Sequence, residues 1–150
     1  MRNPILVLVA IVIVALGSSN LPRVHAASSH ATSVSREIVK LDAMSGSKVV
    51  GTAVLVYDHK KNMTTATVTA SRLQPRSVHP AAIHIGRCNT FKGPIVHALA
   101  TLHADRKGNA TVTSTFRGPV SHDKWYIAIH LGPTLKSKSG ARFVACGDVS

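Results

Sequence analysis

Short runs of alternating apolar and polar residues set the rhythm of this chain, with turn residues between them. The segment Arg36–Ala43 alternates charged residues with Ile, Val and Leu. Lys48–Asp58 is rich in valine, and Met63–Ser71 alternates threonine with Ala and Val. Valine richness favours a strand, and the threonine alternation has the period of two that a half-buried strand requires. Asp58–Asn62, "DHKKN", punctuates them as a hairpin loop. Leu73–Pro80 breaks the pattern with two prolines, Ala81–Gly86 restarts it, and Cys88–Pro94 reads as a loop. Ile95–Ala104 and Asn109–Phe116 flank "DRKG", whose aspartate and glycine suit a tight hairpin. Trp125–Gly132 is a further strand, Pro133–Gly140 a basic loop, and Ala141–Val149 closes the series. About eight short strands without a helical stripe predict an antiparallel β-sandwich or barrel.

The N-terminus breaks this rhythm. Arg2 precedes the apolar run Ile5–Gly17, and small residues follow up to Ala26. That order predicts a secretory signal over residues 1–26, cleaved after Ala26 or Ala27, because the run is short for a membrane span. Residues 27–35 read as a disordered leader, and 36–150 as one β domain with no transmembrane span after processing. The expected location is therefore secreted, periplasmic or otherwise extracellular.

Charge adds a preference for partners. The chain carries a formal +12, which falls to +10 when Arg2 and Arg23 leave with the signal. Such a field attracts anionic polymers, a cell envelope or small anions. The bases are scattered, with no basic helix and no aromatic-basic ribbon, so specific nucleic-acid binding is not expected. Cys88 and Cys146 are the two cysteines. In an exported chain an intramolecular disulfide is the first expectation, contributing about 4 kcal/mol on loop-entropy grounds. Asn62 and Asn109 fit the glycosylation acceptor pattern at turns.

Two of the nine histidines share one setting. His84 lies between Ile83 and Ile85, two residues after Ala82. His130 follows Ile129, two residues after Ala128. Strand parity puts the isoleucines on one face and both histidines on the other, pointing outward over small residues. Imidazole suits copper and zinc. Parity alone also fits two unrelated exposed histidines.

Four segments in order give a family resemblance. "AAIHIGRC" resembles the HxHxxG…C strand and loop of copper-zinc superoxide dismutases. "HADRKGNATVT" resembles their ADxxGxAxV hairpin, "WYIAIHLGP" their strand ending in a late histidine, and "SGARFVACGDV" their C-terminal GxRxACG segment. The extracellular domains called CHRD domains are similar. The resemblance spans Val49 to Val149. It implies an eight-stranded Greek-key β-sandwich with a Cys88–Cys146 disulfide, and copper-ligand positions at His84 and His130. Those rings should then converge on the outer face of one sheet, with nitrogens ~3–4 Å apart as ~2 Å metal bonds require. Arg142 lies near the family's anion-guiding arginine, one residue further from its cysteine.

The departures shape the expected chemistry. Ala82 stands where the first copper histidine belongs. Only "NTFKGP" separates Cys88 from Ile95, so the zinc loop and its bridging histidine are missing and zinc is not expected. His97 and His79 are the candidates for a third copper ligand. The resemblance thus implies a degenerate copper site, non-catalytic or weakly copper-binding. Two alternatives stand beside it: an active copper-only dismutase, and a basic extracellular module that binds anionic surfaces.

Overall fold

The structure, a computed structural model, describes residues 33–89, 91–122, 124–136 and 141–150. The expected signal and most of the expected leader lie outside these residues. Ten strands and no helix occur among the described residues. Eight of them form one antiparallel sheet in the order β6-β5-β9-β10-β1-β2-β3-β8. They are β1 Val34–Ala43, β2 Val50–Asp58, β3 Met63–Ser71, β5 Ala81–Arg87, β6 Phe91–Ala98, β8 Ala110–Arg117, β9 Trp125–His130 and β10 Phe143–Asp148. The two-residue strands β4, Val78–His79, and β7, Leu102–His103, pair separately.

The sheet curls because both halves bury one face against the other. β1, β2 and β3 contribute Val39, Leu41, Ala53, Leu55, Ala66 and Val68 to the same core as Ile83, Ile127 and Ile129 of β5 and β9. In β3 the parity is clean: Thr64, Ala66, Val68 and Ala70 are buried, and the residues between them are not. β1 is the seam. Along most of its length it pairs with β2, and at Asp42 and Ala43 it passes to Cys146 and Ala145 of β10. Gly147 makes that crossing possible, since a Cβ there would stand 2.1 Å from the Lys40 carbonyl oxygen. The result is an all-β sandwich with a Greek-key strand order.

Local chemistry fixes the turns. Asp58 Oδ1 accepts from the amides of Lys60 and Lys61, closing the β2–β3 hairpin where the sequence placed it. At "DRKG", Asp105 Oδ1 accepts from Lys107 and Asn109, and Gly108 takes φ +78°.

Three expectations need correction. The tight turn at "DRKG" forms, but the segments beside it do not make one hairpin: β8 pairs with β3, and β6 with β5. "CNTFKGP" is not all loop, because β6 begins at Phe91. It lies at the sheet edge, where Pro94 is tolerated. Finally, β1 begins at Val34, inside the segment expected to be a disordered leader.

Candidate metal centre

Parity alone puts both histidines on the back of the β5–β9–β10 sheet, away from the main core. Ala82 faces Ala128 and His84 faces Tyr126 across β5 and β9. His130 faces Phe143 and Ala128 faces Cys146 across β9 and β10. Ile83, Ile127 and Ile129 point to the main core as expected. Ile85, beyond a register shift between His84 and Gly86, is 41% exposed instead.

The histidine face is not an open surface. His84 is 5% exposed and His130 2%. A second apolar cluster of Tyr126, Phe143, Ala128, Cys88 and Cys146 lies on this side, with Met44 packed against it. The expectation that both histidines point outward holds for the face and fails for the exposure. Cys88 and Cys146 form the disulfide, with Cα atoms 5.9 Å apart and a sequence separation of 58.

The two rings meet end to end. Nδ1–H of His84 donates to the Gly93 carbonyl at 3.0 Å, and Nδ1–H of His130 donates to the Ala141 carbonyl at 3.0 Å. A carbonyl only accepts, so each neutral ring carries its proton on Nδ1. Both Nε2 atoms are then left with lone pairs, and they stand 3.3 Å apart. Two lone pairs at that distance repel unless a proton or a metal ion lies between them. Metal-binding histidines are typically anchored in this way, through the other ring nitrogen and a carbonyl.

Aromatic rings fix the geometry. Tyr126 stacks on His84 at 4.9 Å with an 8° interplanar angle. Phe143 lies 5.5 Å from His84 and 5.0 Å from His130, edge-on to the latter. The Tyr126 hydroxyl is buried without a hydrogen bond of ordinary geometry. Burial raises its pKa, Asp148 adds to the rise, and the Gly93 backbone opposes it.

Burial also holds the pair neutral. Desolvation lowers the His84 pKa against the opposing bond to Gly93. For His130 desolvation dominates and His84 adds repulsion, while Ala141 opposes, and the pKa falls to about 4. An open groove of about 280 Å³ reaches the pair between Gly93, Ile95, Leu135, Ala141 and Phe143.

The other sequence candidates stand elsewhere. His97 is the register partner of Ile83 and stacks on Phe116 at 3.9 Å, with Trp125 at 5.5 Å. Its pKa is lowered by burial. His79 donates from Nδ1 to the His130 carbonyl at 2.7 Å, and its Nε2 lies 2.7 Å from the Ser77 hydroxyl. Both of its nitrogens are engaged, so it braces the His130 backbone rather than extending the pair. Arg142 directs its guanidinium to the Ser45 carbonyl at 3.4 Å. The extra residue between Arg142 and Cys146 coincides with a bulge in β10 between Phe143 and Ala145. Among the described residues, no group of three or more His, Cys, Asp or Glu converges.

Sequence reasoning missed Tyr126, Phe143 and the two anchoring carbonyls. Tyr126 was within reach, because it shares the parity of Ala128 and His130. Gly93 and Ala141 were not, because their role comes from main-chain atoms brought in by β6 and the loop before β10.

Compared with known proteins, the chain matches no family model and no curated protein.

Proposed function

We propose that this is an exported, superoxide-dismutase-like β-sandwich that holds a copper ion weakly through His84 and His130, without zinc and with little or no dismutase turnover. The observation that carries the reading is the pair of Nε2 atoms 3.3 Å apart, each ring anchored through Nδ1 to a carbonyl. A metal at ~2 Å from both nitrogens would subtend an angle of about 110°, an ordinary value for coordination. The four ordered sequence motifs and the Cys88–Cys146 disulfide support the same reading. A disulfide suits an oxidising compartment. When bound, copper would supply one-electron chemistry. The protein's part would be to orient two imidazoles, keep them neutral and exclude water with Phe143. Two ligands hold and tune copper poorly, which is why turnover is expected to be low.

The test is the copper bound per chain at saturation, in equilibrium dialysis against a known free-copper concentration. One copper per chain is expected in the wild type, lost in both His84→Ala and His130→Ala. Copper content unchanged in both variants would exclude the pair as the site. Superoxide turnover near that of a full enzyme would favour the copper-only dismutase instead.

The +10 charge that remains after loss of Arg2 and Arg23 favours a second, compatible role in attachment to anionic polymers or envelopes.

A further inference from the structure

We infer that the His84–His130 pair selects monovalent copper over divalent copper and zinc. This rests on the metal reading above and adds an oxidation state to it.

Charge is the first argument. The converging donors are two neutral imidazoles. Both cysteines are consumed in the disulfide, and no carboxylate joins the pair among the described residues. The bound ion would therefore keep its full charge. Around it stand Ile95, Leu135, Ala141 and Phe143, in a protein whose formal charge is still +10 once Arg2 and Arg23 are removed. The penalty for removing an ion from water grows with the square of its charge, so a dication meets about four times the penalty of a monocation. The repulsion from the protein's own charge doubles as well.

Coordination number is the second argument. Zinc takes four ligands, and divalent copper prefers a tetragonal set. The pair offers two, with one open side toward the groove. Monovalent copper has a closed d shell and is satisfied by two donors in line or by three in a plane; the bent angle at this pair suits three, the third entering from the groove. The rings cannot easily rearrange to recruit more, since Tyr126 stacks on one and Phe143 abuts both. The general order of divalent affinities favours copper over zinc at nitrogen sites, so a preference for the monovalent ion over both would be a property of this pocket. Each tenfold preference for the reduced ion raises the potential of the bound couple by about 59 mV.

The experiment is a set of competition titrations on the full chain. Monovalent copper is presented without oxygen against a calibrated chelator, silver(I) serves as a redox-inert mimic, and divalent copper and zinc are titrated against an aminocarboxylate. Affinity is assigned to the pair only where His84→Ala and His130→Ala remove it. Monovalent copper and silver should bind one per chain, at least about 100-fold more tightly than either dication. A second variant tests the cause. Ile95 lines the groove and is 42% exposed, so Ile95→Glu should fold, place a carboxylate beside the pair and reduce the preference at least about tenfold. Divalent copper bound as tightly as monovalent copper would overturn the selectivity while leaving the metal site standing. An unchanged ratio in Ile95→Glu would overturn the charge argument. If none of these ions binds through the pair, both the selectivity and the proposed function fall.

Discussion

Phe143 stands directly opposite His130 across β10 and β9, its ring 5.0 Å from the imidazole and edge-on at 83°. The same ring lies 5.5 Å from His84. One apolar side chain thus dries both histidines. Phe143→Ala should admit water and return the His130 pKa from about 4 toward its ordinary 6.5. The variant should also lose about 3–5 kcal/mol of stability, as aromatic truncations in cores do. Titration of the imidazole resonances checks the first effect and denaturant unfolding the second. A His130 pKa unmoved by the truncation would assign its depression to something other than this wall.

Stability should fall in mild acid. His84 and His130 have folded pKa values below 6.5, that of His130 at about 4. Between those values the unfolded chain binds more protons than the folded one. The contribution is therefore complete above about pH 6.5 and is lost progressively as pH drops toward 4. Asp58 and Asp105, lowered mainly by backbone hydrogen bonds, act only below that window, as pH falls under 3.8. Urea midpoints should decline between pH 7 and 4.5 in the wild type, and much less in a His84→Asn, His130→Asn double variant. Equal declines in both would remove the histidines as the cause.

Cys88→Ser or Cys146→Ser should cost about 2–5 kcal/mol. The bond joins the end of β5 to β10 beneath Met44, so it ties together the two strands that flank the histidine-bearing face of β9. Thiol alkylation of the denatured, unreduced wild type should find no free thiol, and thermal unfolding should give the loss.

Gly147→Ala tests the seam. Its new methyl would meet the Lys40 carbonyl at 2.1 Å and Val39 Cγ1 at 2.8 Å. Backbone cannot yield as a flexible side chain does, so β10 must shift from β1 at a cost of about 1–3 kcal/mol. A thermal midpoint equal to wild type would show that the seam is looser than the structure has it.

Binding to heparin-like polymers should weaken steeply between low and physiological salt if the +10 charge of the processed chain drives it. Retention that ignores salt would point to a non-electrostatic contact.

Parity made much of this legible. It put Ile83, Ile127 and Ile129 in the core and both histidines on the opposite face, and Asp105 and Gly108 announced their turn. What parity does not carry is what lies over a face. Tyr126 and Phe143 cover the histidines through side-by-side strand packing, and Gly93 and Ala141 supply carbonyls from other segments. The edge position of β6 hid its start, because Gly93 and Pro94 read as loop residues anywhere but an edge. His97 gave no clean register, and only the packing of Phe116 and Trp125 fixes its side.

The seam at β1 sets an order of assembly. β1, β2 and β3 are consecutive hairpin neighbours and can pair as soon as they exist. The contact of Asp42 and Ala43 with Cys146 and Ala145 joins opposite ends of the described chain. Closing so long a loop is entropically slow, and topologies dominated by distant pairings fold slowly. The three-stranded meander would therefore wait with its inner face of Val39, Leu41, Leu55 and Val68 bare until β9 and β10 arrive. During that interval the chain is most exposed to self-association, and a holding chaperone would have its longest opportunity to act.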